Sequence, residues 1–250
     1  MKKQNNKFNK IKEYLVNTLF PNDIKCISCG EELNQDSHNN LCTECNKSLP
    51  YIHHFCPRCG SPISINNDGV CINCKINNYH FIASRSVFVY NDMISSIIRR
   101  IKYKSRKIYI PALSNFLAEN FDKTNFIVDM VTCVPSHVNR EKTRKFNQSK
   151  LLAESFAEKV NLPFIEIADK IVDNPSQTSL DYNERKKNVE NVYKLKPNIR
   201  SLIKDKIILI VDDLLTTGAT ASELSKVLLS GGARACYVYT IAHGFMDNTN

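Results

Sequence analysis

From residue 81 onward the apolar positions follow two rhythms that alternate along the chain. Strand-length apolar runs recur in SRSVFVY, IVDMVTCVP, FIEIADKIV, KIILIV and ARACYVYTIA. Between them, MISSIIRRIKY, ALSNFLAENF, QSKLLAESFAEKV and ASELSKVLLSGG repeat their apolar residues at helical spacing. Ile94, Ile97, Ile98 and Ile101 fall on one face of the first of these helices; Leu151, Leu152, Phe156 and Val160 fall on one side of the third. Continuously apolar strands are covered on both faces, and strands alternating with helices are joined by crossovers. The pattern therefore predicts an α/β domain with a mainly parallel sheet over residues 81–245. The opening MKKQNNKFNKIKEYLVNTLF reads as a short amphipathic lead-in helix over 1–22, too often interrupted by Asn and Lys for a secretory apolar region.

The stretch between these regions, 23–78, is organised by cysteine instead of by periodicity. Eight of the ten cysteines form four Cys-x-x-Cys pairs: CISC (Cys26, Cys29), CTEC (Cys42, Cys45), CPRC (Cys56, Cys59) and CINC (Cys71, Cys74). Twelve residues separate the first two pairs and eleven the last two. In the first and third pairs glycine follows the second cysteine, so one unit of about thirty residues is used twice. A Cys-x-x-Cys turn presents two thiolates from one knuckle, and four thiolates satisfy tetrahedral zinc with no position left for water. The array predicts two structural zinc ions in a small tandem zinc-ribbon domain. The repeat favours sequential pairing, and a cross-braced pairing, with the same ligand count, stays open. His53 and His54 are read as hairpin residues. Cys133 and Cys236 stand alone inside apolar runs and are read as small buried hydrophobes.

No apolar run approaches the length of a membrane span, and so many cysteines in zinc pairs suit a reducing compartment, so the expectation is a cytoplasmic chain without membrane insertion. A net charge of +9 predicts attraction to polyanions, nucleic acid or phosphorylated metabolites, although a lysine-rich surface also serves solubility. The densest basic run, RRIKYKSRK, sets Arg99, Arg100 and Lys102 beside Tyr103. Cations with an interleaved ring suit a single nucleic-acid strand; a solvated basic helix face is the plainer account of the same residues.

The most informative chemistry is IILIVDDLLTTGAT, residues 207–220. A buried strand runs into Asp212 and Asp213, followed by a hydroxyl-rich turn with Gly218 and then a helix. Ligands of open α/β sheets sit beyond the carboxyl ends of strands. There the backbone N–H groups and the positive end of the following helix form a phosphate cup. Two carboxylates beside such a cup repel the phosphate unless they serve sugar hydroxyls or a divalent metal, so a phosphorylated ribose fits.

This string resembles the signature for phosphoribosyl pyrophosphate (PRPP) in the phosphoribosyltransferase superfamily. The resemblance implies a type I phosphoribosyltransferase-like domain in which Asp212 and Asp213 contact the ribose 2′- and 3′-hydroxyls. It also implies that Thr216, Thr217, Gly218, Ala219 and Thr220 cradle the 5′-phosphate, with Mg²⁺ accompanying PRPP. Together with CVPSHVNREKTRKFNQSKLLAESFA, PSQTSLDYNERKKNVENVY and the cysteine array, nearly the whole chain resembles the ComF family of competence-associated proteins. By position, Pro135, Ser136 and His137, with Arg140 and Arg144 downstream, match the family's pyrophosphate loop. Gln177, Thr178, Arg185 and Asn188 match its flexible lid. Lys145 and Asn191 stand where the family pattern has glycine.

Three functions follow from the resemblance. The first is PRPP binding coupled to single-stranded DNA handling in natural transformation, alongside a competence helicase or other DNA-uptake proteins. The second is an active phosphoribosyltransferase of base or nucleotide metabolism, whose acceptor the sequence does not name. The third is a PRPP sensor without turnover.

Overall fold

The computed structural model describes residues 25–64, 69–104, 107–144, 146–174 and 190–244. The lead-in helix expected over 1–22 and the lid residues Gln177, Thr178, Arg185 and Asn188 lie outside the described residues, as does Lys145. The chain divides into two compact units, Met1–Leu49 and Pro50–Asn250.

In the first unit, Cys26 N donates to Glu31 O at 2.7 Å and Gly30 N to Cys26 O at 3.0 Å, which closes the first knuckle. Cys42 caps the one-turn helix Thr43–Lys47. Ile27, Leu41 and Leu49 are the buried aliphatic side chains among the unit's described residues.

The second unit is built on a four-stranded sheet in the order β1-β6-β5-β2. β1 is Ala83–Val89, β2 Met130–Cys133, β5 Ile207–Leu215 and β6 Ala235–His243. Every pairing in this sheet is parallel. The expected helices are present as Asp92–Lys104, Ile110–Phe121, Gln148–Lys159 and Ala219–Ser230. Ile208, Leu209, Ile210 and Val211 are all wholly buried, as a strand covered on both faces requires. On one face Ile208 and Ile210 join Leu224 and Leu228 of the last helix and Ile203. Elsewhere Phe88 meets Phe116 edge-on at 5.2 Å, and Phe156 packs on Tyr239 at 5.8 Å. The buried Tyr239 hydroxyl is satisfied by donating to Leu117 O at 3.0 Å.

The segment FIEIADKIV forms less strand than its apolar content predicts. Phe164 makes a single parallel bridge to Val131. The chain then leaves the edge of β2, and only β3, Ala168–Lys170, pairs antiparallel with β4, Tyr193–Leu195, in a separate two-stranded sheet. Among the described residues no helix is long and apolar enough to cross a membrane.

The second cysteine knuckle repeats the first. Cys56 N donates to Ser61 O at 2.8 Å and Gly60 N to Cys56 O at 2.9 Å. Gly30 (φ +85°) and Gly60 (φ +67°) both adopt the left-handed conformation that glycine accepts without strain. Their surroundings differ. A Cβ on Gly30 would meet nothing within 4 Å, whereas one on Gly60 would lie 2.6 Å from Ser84 O. Gly60→Ala is therefore expected to cost about 1–3 kcal/mol more than Gly30→Ala, the usual range for overpacking, measured by chemical denaturation of each variant.

Candidate functional site

The sulfur atoms fall into two sets, Cys26, Cys29, Cys42, Cys45 and Cys56, Cys59, Cys71, Cys74, each with all ligand atoms within 4.8 Å of one another. The pairing is therefore sequential. A zinc–sulfur bond of about 2.3 Å makes a tetrahedral edge of about 3.8 Å. Cys29 Sγ and Cys42 Sγ lie 3.7 Å apart, and Cys59 Sγ and Cys71 Sγ 3.6 Å. Both sets fit zinc. The exposed His53 and His54 belong to neither set.

The electrostatics of the knuckles fit the same ion. Burial opposes ionisation of Cys26, yet backbone N–H groups of Cys42, Cys29 and Ser28 hold its thiol down at about 6. Cys56 is held at about 7 against burial by the N–H groups of Cys59, Cys71 and Arg58. Burial first, then neighbouring thiolates, pushes Cys74 up to about 12. Four thiolates are tolerated together only with a cation among them, so zinc uptake displaces protons and weakens as pH falls. Cys133 and Cys236 are buried and belong to neither set, and burial pushes each up to about 12.

In the four-stranded sheet, β5 does not stop at Val211. It continues through Asp212 and Asp213 to Leu215. Asp212 Oδ1 accepts from Ser149 Oγ at 2.5 Å and from the backbone N–H of Asp213 at 2.9 Å. Asp213 is buried beside Ile98, Ile110, Leu113 and Leu152 around a cavity of about 10 Å³. Thr216 and Thr217 follow, and Gly218 turns the chain at φ +73° as N-cap of the helix Ala219–Ser230. Ala219 N donates to Thr217 Oγ1 at 3.3 Å, and Ser222 N to Gly218 O at 2.8 Å. The turn thus lies at the amino end of a twelve-residue helix, where backbone N–H groups and the helix dipole favour an anion.

β2 pairs with β5 from Met130↔Ile208 to Cys133↔Val211, so the loop after Cys133 emerges beside the acidic pair. Pro135, Ser136 and His137 lead into the helix Val138–Arg144, which carries Arg140 and Arg144. Ser136 Oγ donates to Glu141 Oε1 at 2.6 Å, and Arg140 Nη2 to Asn174 O at 2.5 Å. His137 Nδ1 lies 3.5 Å from Asp173 Oδ2, which also accepts from Asn139 Nδ2 at 2.8 Å. The Asn139 bond first, then the nearby His137, Arg140 and Lys170 charges, hold Asp173 below the usual carboxylate range. Burial, with Arg140 nearby, pulls the Lys170 ammonium down.

Sequence reasoning missed two residues that join these loops. Asn147 caps the helix Gln148–Lys159, accepting from the N–H groups of Ser149 and Lys150, and donates to Val134 O at 3.2 Å. Ser149, two residues on, holds Asp212. An asparagine immediately before the helical pattern was the available signal. Also missed was a cavity of about 180 Å³ lined by Tyr79, His80, Asn191, Thr217, Ser222 and Glu223, among others. There Ser222 Oγ accepts the His80 backbone N–H at 3.1 Å and also pairs with His80 Nδ1 at 3.1 Å. Asn191 sits at φ +56°, a conformation asparagine tolerates, and its N–H donates to Glu223 Oε1 at 2.9 Å.

Of the basic run, Arg99 is exposed and folds back to donate to Ser95 Oγ and, at 3.4 Å, to Ser95 O. Arg100, Lys102 and Tyr103 follow it on the helix Asp92–Lys104.

Comparison with known proteins extends over most of the chain. A family model described as a double zinc ribbon domain matches residues 15–75. The chain is 28% identical over 231 residues to competence protein ComFC of Bacillus subtilis, covering 84% of this chain and 90% of that protein. It is 25% identical over 229 residues to competence protein F of Haemophilus influenzae, covering 88% and 97%. It is 26% identical over 210 residues to DNA utilization protein YhgH of Escherichia coli K12, covering 82% and 90%. Among solved structures, the glutamine PRPP amidotransferase of B. subtilis aligns with 56% of this chain and 29% of its own, at 20% identity and a TM-score of 0.39. A hypoxanthine phosphoribosyltransferase from Staphylococcus aureus aligns over 56% and 75%, at 14% identity and a TM-score of 0.34.

Proposed function

We propose that this chain, related over most of its length to the ComF-type competence and DNA-utilization proteins, binds PRPP with Mg²⁺ and handles single-stranded DNA during DNA uptake. The observation that carries the PRPP reading is the placement of three features toward the carboxyl ends of the adjacent parallel strands β2 and β5. These are the carboxylates of Asp212 and Asp213, the left-handed turn at Gly218 opening a helix, and the loop of Pro135, Ser136 and His137 from the adjacent parallel strand. A helix amino end takes the phosphate, acidic side chains take the diol, and the neighbouring loop, with Arg140 close behind, suits the pyrophosphate. Calorimetric titration of PRPP and Mg²⁺ into the zinc-loaded protein tests the reading. Saturable one-to-one binding is expected, and no heat at millimolar PRPP would contradict it. Repeating the titration with candidate bases separates turnover from binding alone, because turnover consumes PRPP and releases pyrophosphate.

Ser149 acts in this scheme by orienting Asp212. Ser149→Ala is expected to weaken PRPP binding about tenfold, or about 1.4 kcal/mol, with zinc content unchanged at two ions.

The DNA reading is supported by the names of the relatives, the net charge of +9 and the basic helix carrying Arg99, Arg100, Lys102 and Tyr103. Binding of a short single strand should fall steeply with salt. Replacing Arg99, Arg100 and Lys102 by alanine should flatten the log–log salt slope by about 0.7 for each phosphate contact removed. An unchanged slope in that variant would place the contacts elsewhere.

A further inference from the structure

We infer that the second cysteine knuckle, 56–74, is the rear wall of the phosphate loop, and that metal at this knuckle, not at the first, sets the conformation of residues 215–218. Three sets of contacts lead there. Cys59, Ser61 and Asn73 line the same space as residues 215–218, and the cavity between them is only about 10 Å³, so knuckle and loop are nearly in contact. The chain leaving the knuckle then places Tyr79 on the loop, where a Cβ on Gly218 would come within 3.0 Å of Tyr79 Cε1. The Tyr79 ring is stacked on Phe81 with centroids 4.8 Å apart and an interplanar angle of 12°.

The knuckle also grips Tyr79 and the sheet. Arg58, inside the CPRC turn, donates to Tyr79 O at 3.5 Å and lies 5.9 Å from its ring centroid. Tyr79 packs against the cluster of Cys56, Cys59 and Cys74. Ser84 of β1 donates its hydroxyl to Cys59 O at 2.7 Å and its N–H to Arg58 O at 2.8 Å. Besides cysteine, that cluster contains, among the described residues, Ile63, Val70 and Tyr79 as partly buried packing. So little apolar area does not hold a knuckle closed by itself, and the four-thiolate ion supplies the missing constraint. Without it, Tyr79 keeps its packing on Phe81 and the sheet's core but loses the knuckle's contacts, and Gly218 is free to leave its left-handed turn. The first knuckle belongs to the separate unit Met1–Leu49.

The identity of the loop's ligand rests on the function proposed above; the coupling of knuckle to loop does not. The test compares Cys71→Ser with Cys42→Ser by zinc content and by hydrogen exchange of residues 215–220. Each variant should retain one zinc. Exchange in the loop should quicken at least tenfold in Cys71→Ser and stay within twofold of wild type in Cys42→Ser. Tyr79→Ala, which removes no ligand, should keep two zinc ions and also quicken loop exchange, and it decides the matter if Cys71→Ser does not fold. Wild-type loop protection in Cys71→Ser or in Tyr79→Ala overturns the inference. A PRPP titration runs in parallel: affinity should fall at least tenfold in Cys71→Ser and hold within twofold in Cys42→Ser. If wild-type protein binds no PRPP, the ligand reading fails while the exchange comparison still decides the coupling.

Discussion

Replacing both Asp212 and Asp213 by alanine is expected to lower PRPP affinity by at least a hundredfold while zinc content stays at two ions. The magnitude follows from what the two side chains do at the end of β5. Asp212 is held by Ser149 Oγ and by the backbone N–H of Asp213, so its carboxylate is fixed in place before a ligand arrives. Hydrogen bonds to a charged group contribute about 1.5–3 kcal/mol each, and a ribose diol offers two donors. Losing both therefore exceeds the roughly 2.7 kcal/mol that a hundredfold change represents. Asp213 is buried against aliphatic side chains, so a companion Asp213→Asn variant, which keeps the volume, separates loss of charge from loss of packing. Calorimetry on both variants checks the result, and near-wild-type affinity in the double variant would remove the acidic pair from the site.

Stripping zinc is expected to unfold the first unit outright. Its described residues bury Ile27, Leu41, Leu49 and Cys26 as apolar side chains, far too little to offset the conformational entropy of an ordered segment of this length. Structural zinc contributes about 10–16 kcal/mol of binding free energy at neutral pH, so the folded unit depends on its ion. Cys26, Cys29, Cys42 and Cys45 should become alkylated within minutes after chelation, whereas Cys133 and Cys236, buried in the larger unit, should react last. Mass spectrometry of the alkylated peptides reads the order directly. Protection of the first four cysteines that survives chelation would show that the unit folds without metal. The same experiment run at falling pH should reach the stripped state without chelator, because protons compete for thiols that burial pushes upward, Cys45 and Cys74 to about 12.

Much of this architecture was legible because its strongest signals are local. Four consecutive aliphatic residues of β5 and the helical spacing of Ile94, Ile97 and Ile98 have one reading each, and all of these side chains are buried. The repeated layout of the cysteine pairs favoured sequential pairing without excluding a cross-braced one, and the two sulfur sets are sequential. Signals that depend on distant partners were not legible. FIEIADKIV has the composition of a strand, but the edge of β2 gives it only one bridge before the chain turns to pair with β4. Nothing in CPRCG, compared with CISCG, indicates that one glycine faces open space and the other the backbone of Ser84. That contact, the bridge between Tyr51 and Phe88 and the hydrogen bond from Val89 N to Pro50 O bind the second repeat into the larger unit. Two halves of one sequence repeat thereby fall in different compact units. Ser149 and Ser222 were overlooked for a similar reason: serine in a helix usually faces water, and only the fold brings one to Asp212 and the other to His80.

The central claim is that residues 216–220 form the cup for the terminal phosphate of a sugar whose diol meets Asp212 and Asp213. Hydrogen exchange of the zinc-loaded wild-type protein, with and without PRPP and Mg²⁺, tests it most directly. Saturating PRPP should slow exchange most strongly at the amides of residues 216–220, with a second zone at the loop of Ser136 and His137. Binding that leaves those amides unchanged while protecting another surface would contradict it.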